Sequence, residues 1–137
     1  MKEEHFCGKV AQKAIIVKDG KVLITRDSRD ESTWELPGGR LNANEDPVAG
    51  LVRELQEELG VTVIIGQPIF VGRFHHTQEN SVALALCYMA TLEDELAHFN
   101  VDPIEIAEMQ WVDQVTWQNY TYYDEVKNAL EAYFSTI

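Results

Sequence analysis

The chain has 137 residues, a formal net charge of −12 and 45% hydrophobic residues, which predicts one compact domain over residues 1–137. Ten of its eleven Lys and Arg residues fall within residues 1–73, whereas residues 74–137 carry one lysine and eleven acids. This balance argues against nucleic acids and anionic membrane surfaces as partners, because both select basic faces. The two cysteines, Cys7 and Cys87, are too widely spaced for a metal knuckle, and with no apolar leader they predict reduced thiols in a cytoplasmic protein.

The first part of the chain predicts β structure. The β-branched stretches VAQKAIIV and VLITRD flank KDGK, and its Asp19-Gly20 pair predicts a tight hairpin turn. A polar loop, SRDEST, then leads into WELPGG. Pro37, Gly38 and Gly39 predict irregular backbone in that segment.

A helix is predicted between Asp46 and Gly60. Asp46 is suited to accept hydrogen bonds as the N-cap, Pro47 suits the first helical position, and Gly60 suits the C-terminal stop. At 100° per residue, an apolar arc suited to packing on a sheet is formed by Val48, Leu51, Val52, Leu55 and Leu59.

The remainder alternates between predicted strands, a loop and a closing helix. VTVIIGQPIFVGRF and SVALALCYMATL are strand-like, with Gly66 and Pro68 predicting a bend in the first. HFNVDPIEIAE predicts a loop, MQWVD a short strand, and YDEVKNALEAYF a helix with Val126, Ala129, Leu130 and Tyr133 on one side. This mixture of elements predicts a domain of the α/β (α+β) class.

Three glutamates, Glu54, Glu57 and Glu58, lie on a second arc of the predicted helix. Exposed like-charged pairs at this spacing repel by about 0.2–0.5 kcal/mol each, so stability alone does not explain them. Ordinary solvated glutamates are one interpretation, since glutamate is a good helix former. The other is a site for a hard divalent cation, because carboxylate oxygens are preferred ligands of magnesium and manganese.

The residues around these glutamates favour the metal site. Residues 39–61 have the spacing GX5EX7REUXEEXGU, with U a bulky aliphatic residue, and its fixed positions are Gly39, Glu45, Arg53, Glu54, Leu55, Glu57, Glu58, Gly60 and Val61. This segment resembles, without a departure, the box of the Nudix hydrolase family, and VRELQEELG is most similar to its MutT-type members. LPGG at 36–39 and the downstream MQWVD extend the resemblance over most of the chain.

The resemblance implies an α/β/α sandwich around a mixed central β-sheet. It also implies Mg²⁺-dependent hydrolysis, with Mn²⁺ as an alternative, of a nucleoside diphosphate linked to another moiety. Glu54, Glu57 and Glu58 are the implied metal ligands, joined by the carbonyl of Gly38. Arg53 is implied to orient carboxylates, and the candidates for its partner are Glu57, at i+4, and Glu45.

The sequence leaves alternatives for the general base and for the residues that contact the substrate. The general base is one of Glu57, Glu58, Glu105 and Glu108, and Glu108 is preferred of the two loop acids because some family members carry a catalytic or metal-ligating glutamate near this strand. Three further residues are candidates for contact with phosphate or ribose, namely Arg73, His75 and His76.

The substrate is predicted by elimination. Family members that act on ADP-ribose or diadenosine polyphosphates carry a proline or a tyrosine downstream of the box, where this chain has HHTQE. Nucleoside or deoxynucleoside triphosphates are therefore the leading substrates, with ADP-ribose, nucleotide sugars and dinucleotide polyphosphates as alternatives. A Nudix module that binds a nucleotide without hydrolysing it is the competing class, although such modules commonly lose box glutamates. A homodimer is possible by the same resemblance.

Overall fold

The computed structural model describes residues 3–76 and 79–137, and in those ranges it contains seven strands and two α-helices. The strands are β1 (Lys9–Lys18), β2 (Lys21–Asp27), β3 (Trp34–Glu35), β4 (Gly38–Arg40), β5 (Val63–His76), β6 (Ser81–Leu92) and β7 (Ile106–Val112). The helices are α1 (Pro47–Leu59) and α2 (Asp124–Phe134). Neither helix of the described chain has the length and apolar character needed to cross a membrane.

Strand β1 joins two parts of a mixed sheet. Its residues 9–16 pair in parallel with β6, residues 11–13 pair antiparallel with β4, and residues 17–18 pair antiparallel with β2. β5 lies antiparallel to β6, and β2 lies antiparallel to both β3 and β7. The parallel pairing of β1 and β6 within otherwise antiparallel ladders confirms the predicted mixed sheet.

The two helices cover opposite faces of this sheet. Successive β1 side chains alternate between faces, so Ala14 and Ile16 pack with α1 whereas Ile15 packs with α2. α1 contributes buried Leu51, Leu55 and Leu59, and α2 contributes buried Val126, Ala129, Leu130, Tyr133 and Phe134. The sandwich of helix, sheet and helix is therefore confirmed.

Several local predictions are confirmed and others are wrong. Asp19 (φ 53°) and Gly20 (φ 74°) form the predicted left-handed turn, and the β5–β6 register shifts on both sides of Pro68. Val48, however, is 42% exposed, because it lies at the start of α1 away from the sheet. Gly60 (φ 68°) ends α1 as predicted, whereas the Asp46 side chain makes no capping hydrogen bond.

Two segments predicted to lack regular structure contain strands. WELPGG holds β3 and β4, because β1 and β2 supply ladder partners on both sides, and the Ala14 amide also donates to the Pro37 carbonyl at 2.9 Å. The end of HFNVDPIEIAE is likewise part of β7, which begins at Ile106 and pairs with β2. Long-range pairing overrides the local breaker residues in the first case.

The loop between β6 and β7 is attached to the C-terminal end of α1. The Asn100 amide donates to the Leu59 carbonyl at 2.8 Å, and the Asp102 amide donates to the Glu58 carbonyl at 2.9 Å. These bonds satisfy carbonyls that a helix end otherwise leaves unpaired. The end of α1 that carries the glutamates is thereby fixed in place.

Candidate active site

Arg53 connects three carboxylates on one side of α1. Its Nη1 donates to both Glu57 carboxylate oxygens at 3.0 Å, and its Nη2 donates to Glu45 Oε2 at 3.1 Å and to Glu54 Oε1 at 3.3 Å. The guanidinium side chain is 38% exposed and that of Glu57 is 60% exposed. Both predicted partners of Arg53 are thus engaged at once, so the guanidinium is placed to hold the carboxylates in a fixed arrangement.

The glycine strand β4 lies directly against two of the glutamates. The Gly38 amide donates a hydrogen bond to the Glu58 carboxylate. A side-chain carbon at Gly39 would lie 2.9 Å from the Glu54 carboxyl carbon, and one at Gly38 (φ 144°) would lie 2.0 Å from the Gln12 carbonyl oxygen. Only glycine fits at position 38, because the approached atom is backbone and φ is positive, whereas the Glu54 carboxylate that approaches Gly39 is the end of a flexible side chain.

Glu58 is the one of the three glutamates whose ionised form is clearly disfavoured by its surroundings. Its pKa is raised to about 7, first by burial and also by the negative charge of Glu54, against the opposing effects of Lys13 and the Gly38 amide. A carboxyl group whose charge is disfavoured by burial and by a like-charged neighbour gains stability from a nearby cation.

Lys13, on β1, pairs with Gly38 of β4, and its positive charge lowers the pKa of Glu58. Its side chain is 16% exposed, and its Nζ lies 3.8 Å from Glu35 Oε1. Burial alone would lower the pKa of Lys13, but Glu35, and then Glu58, raise it to a net value above the usual range. Lys13 is therefore charged at neutral pH.

The donor set suits a hard divalent cation. Three carboxylates and a glycine-rich backbone strand meet at one helix face, and oxygen donors are what magnesium and manganese prefer. Within residues 3–76 and 79–137, however, no three carboxylate, imidazole or thiol groups are already gathered closely enough to hold a metal. Glu57 is turned to Arg53 and Glu58 to the Gly38 amide, so metal binding requires these side chains to reorient.

Glu108 and Glu105 lie on the other part of the sheet. Glu108 is opposite Arg26 in the β2–β7 ladder and accepts hydrogen bonds from its Nε at 3.2 Å and its Nη2 at 2.7 Å. Glu105 is exposed, and its backbone carbonyl accepts from the Ser28 amide at 3.2 Å. Among the described residues, Glu108 pairs with Arg26 whereas Glu54 and Glu57 pair with Arg53, so no shared basic residue links Glu108 to the helix glutamates.

Arg73 and His75 are exposed on β5, which is separated from β4 by β6 and β1. At about 4.8 Å per strand spacing, this puts them roughly 14 Å from β4 across the sheet. His75 Nε2 lies 3.2 Å from Asn80 Oδ1. The side chain of His76 lies outside the described part of the structure, and the structure does not bring Arg73 or His75 to the glutamates.

A model of the NUDIX domain family matches residues 9–128. This chain belongs to the Nudix hydrolase family. Over 70 residues it is 39% identical to a MutT-like protein of Streptomyces ambofaciens, in a match covering 51% of this chain and 44% of that protein. Over 57 residues it is 40% identical to the CTP pyrophosphohydrolase of Escherichia coli K12, covering 39% of this chain and 42% of that protein.

The fold of this Nudix chain is also that of solved family structures. The crystal structure of a MutT NUDIX hydrolase from Burkholderia pseudomallei matches with a TM-score of 0.76 and 23% identity, covering 90% of this chain and 96% of that chain. The matches to the two curated relatives, in contrast, span less than half the length of each. The structural likeness shows the fold, and the sequence likeness is concentrated in part of the chain.

Three residues of this Nudix site were not found by sequence reasoning. Lys13 and Gln12 interrupt the apolar strand VAQKAIIV, and Glu35 precedes the LPGG segment. Gln12 is 2% exposed and its Nε2 donates to the Pro47 carbonyl at 2.8 Å, which attaches β1 to the start of α1. Adjacent polar residues within an otherwise apolar strand are the signal that marks such positions.

Proposed function

We propose that this Nudix protein is a divalent-metal-dependent pyrophosphohydrolase that converts nucleoside or deoxynucleoside triphosphates into monophosphates and pyrophosphate. The observation that carries the proposal is the cluster of Glu54, Glu57 and Glu58 at the C-terminal half of α1, held by Arg53 and by β4. The substrate class is supported by the likeness to the CTP pyrophosphohydrolase and the MutT-like protein.

In the proposed reaction, water attacks the α- or β-phosphorus, and the bond from that phosphorus to the oxygen bridging the two breaks. Attack at the α-phosphorus expels pyrophosphate and attack at the β-phosphorus expels the nucleoside monophosphate, so the products are the same. Bound divalent ions, Mg²⁺ or Mn²⁺, would neutralise the phosphate charge and acidify the attacking water. The carboxylates of Glu54, Glu57 and Glu58 and the carbonyl of Gly38 would hold them. Arg53 would keep the carboxylates oriented through the bonds it already makes.

One carboxylate must accept the proton of the attacking water. Glu57 and Glu58 lie in the cluster itself, and Glu58 has a pKa near neutrality, raised first by burial. Glu108 would have to leave its pair with Arg26 before taking a proton, and Glu105 projects from the loop before β7. Glu57 and Glu58 are therefore the preferred candidates, with Glu108 ranked after them.

The test of this function is a substrate panel with controlled metal. The purified chain is freed of metal with EDTA and assayed with Mg²⁺ or Mn²⁺ on the ribo- and deoxyribonucleoside triphosphates, ADP-ribose, a nucleotide sugar and a dinucleoside tetraphosphate. Monophosphate and pyrophosphate are expected from triphosphates, and both should disappear without metal. Binding of a nucleotide without turnover of any compound would instead establish a non-hydrolytic module, and preferred cleavage of ADP-ribose would overturn the substrate class.

Three further properties stay predictions. The choice of Mg²⁺ over Mn²⁺ follows from the family resemblance, and a titration of activity with each ion tests it. A homodimer and a cytoplasmic location follow from the same resemblance and from composition. Size-exclusion chromatography with light scattering and cell fractionation test these two predictions.

A further inference from the structure

Strand β5 lies at one end of the sheet, where it pairs with β6 and, within the described residues, with no other strand. An edge strand presents unpaired N–H and C=O groups that another strand can join, and proteins usually protect such edges by shortness, charge, proline or bulges. The other strands that have one neighbour in the described ranges follow this rule. β3 and β4 have two and three residues, and β7 carries the exposed Glu108. β5 is longer than any of them, at 14 residues.

The two halves of β5 differ in this protection. Its register with β6 shifts between Ile65 and Pro68 and again between Pro68 and Phe70, and proline has no N–H group to donate. From Phe70 to His76 the register is continuous. The second half of β5 is therefore regular strand whose outer edge has neither a proline nor a bulge.

The charge of this part of the chain also differs from that of the rest. Residues 59–78 are the longest stretch without an acidic residue, in a protein with a net charge of −12. The charged side chain of the regular half of β5 is the exposed Arg73. Two copies of an acidic protein can therefore approach along this edge without placing carboxylate opposite carboxylate.

The side chains of the regular half are incompletely covered on both faces of the sheet. Val71 is 61% exposed, and Phe70 and Phe74 are half-buried. Successive side chains alternate, so Val71 and Arg73 lie on one face and the two phenylalanines on the other. The Phe70 ring lies over Gly72, where a side-chain carbon would be 2.6 Å from it. A second strand beside this one would contact apolar groups on both faces.

We propose that two copies of this chain form a dimer by antiparallel pairing of their β5 strands, centred on Gly72. The inference is independent of the proposed hydrolysis, because β6 and β1 separate β5 from β4 and its neighbouring glutamates. Pairing over residues 69–75 supplies far fewer than the roughly 20–30 residues a side of a standard interface, and the net charges of the two copies repel each other. The dimer is therefore weak, with a Kd of about 10–100 µM that falls when salt screens the repulsion.

The side chains select this register over its neighbours. A centre one residue later would place the two Arg73 guanidinium groups opposite each other, which is unfavourable. A centre one residue earlier would bring Pro68 and its bulge into the ladder. The centre at Gly72 instead places Phe70 of each copy opposite Phe74 of the other, and such aromatic pairs stabilise a sheet.

The test changes the charge at Val71, which faces Arg73 of the second copy in this register. Analytical ultracentrifugation at about 5–500 µM protein gives the dimer Kd. Val71→Glu adds two opposite-charge pairs across the interface and Val71→Lys adds two like-charge pairs, so the Kd of Val71→Lys should be at least about 10-fold higher. The matched controls are Val115→Glu and Val115→Lys, which make the same changes in net charge at a position that is 82% exposed outside β5. Their Kd values should lie within about 2-fold of each other.

Amide hydrogen exchange locates the interface in the unsubstituted protein, whether or not the Val71 variants fold. At about 200 µM, compared with about 5 µM, amides within residues 69–75 should exchange more slowly and those of β3 and β7 should be unchanged. A monomer at every concentration, or a dimer that protects another strand instead, would overturn the proposal. Equal Kd values for the two Val71 variants, or association in neither, would overturn the Gly72 register.

Discussion

The helices α1 and α2 pack on opposite faces of one sheet and bury comparable apolar stripes, but they differ in their first turns, since only α2 has acids there. α2 carries Asp124 and Glu125 in its first turn, where the helix dipole favours negative charge by about 0.3–1 kcal/mol per residue. α1 has no acid in its first turn, and its last turn contains Glu57 and Glu58 without any basic residue. The same dipole disfavours negative charge at the C-terminal end of a helix.

This difference separates two roles for acidic residues in one small protein. The first-turn acids of α2 begin a helix in the way that stability favours, whereas Glu57 and Glu58 of α1 oppose both the dipole and one another. What α1 gains is an arrangement in which β4 contacts Glu54 and Glu58 from one side and Arg53 holds Glu57 from the other. The arrangement is expected where chemistry, rather than folding, sets the sequence.

The largest effect is expected from removing charge at the C-terminal end of α1. Glu57→Gln or Glu58→Gln should lower kcat by about 1,000-fold, or about 4 kcal/mol, because a proposed metal ligand is lost. The melting temperature should stay the same or rise, because a repulsive charge is removed from the helix end. Glu131→Gln, on the exposed face of α2, is the matched control and should retain activity. Full activity in both α1 variants would remove the basis of the metal site.

Truncation of the buried stripes should affect the two helices equally in stability and unequally in activity. Leu55 and Leu130 are both fully buried, so Leu55→Ala and Leu130→Ala should each destabilise the protein by about 3 kcal/mol in urea unfolding. The folded fraction of Leu130→Ala should keep the wild-type kcat, whereas Leu55→Ala should lower it because Leu55 supports the neighbouring Glu54. An equal loss of kcat in both variants would mean that the helices do not differ in function.

The response of stability to pH should be dominated by α1 in the window between pH 5 and pH 8. The pKa of Glu58 is raised by burial to about 7, so the stabilising effect of its proton is complete below pH 4.5 and is lost as pH rises toward 7. Without metal, the melting temperature should therefore fall over this window. Added Mg²⁺ should raise it more at pH 8 than at pH 5, because the ionised carboxylate binds the cation.

Other titrating residues can be separated from Glu58 in this measurement. Glu79 and Asp113 have lowered pKa values, so their contributions are lost only as pH falls below about 4.5, outside the window. Glu125 shares the direction of Glu58, because burial raises its pKa as well. The difference between the wild type and Glu58→Gln therefore isolates Glu58, and an identical pH slope in the two proteins would contradict its assigned environment.

The fold could be predicted from sequence where local signals agree with long-range packing. The Asp19-Gly20 turn, the end of α1 at Gly60 and the buried stripe of α2 are all set by neighbouring residues, and the structure confirms them. β3 and β4 could not be predicted, because their strand geometry comes from pairing with β2 and β1 rather than from the sequence WELPGG.

The candidate site also has one part that local sequence predicts and one part that depends on long-range packing. Glu54, Glu57 and Glu58 share a helix, so their proximity follows from helical spacing alone, and so does the contact of Arg53 with Glu57. The ion pair of Lys13 with Glu35 joins β1 to β3, and no local pattern predicts it. The sequence therefore predicts the glutamate cluster better than the charged residues of the sheet beside it.

The smallest expected effect concerns the start of α1, where an acid would suit the dipole. Asp46 occupies the N-cap position but accepts no capping hydrogen bond, so Asp46→Ala should cost about 0.3 kcal/mol from the dipole alone rather than the usual 1 kcal/mol. Asp113 is the matched control, because its Oδ1 accepts from the Val115 amide at 2.9 Å and the Thr116 amide at 2.8 Å. Asp113→Ala should cost at least about 1 kcal/mol in urea unfolding. Equal costs for the two variants would show that Asp46 caps α1 in solution, and the helix would then carry acids that serve folding at one end and chemistry at the other.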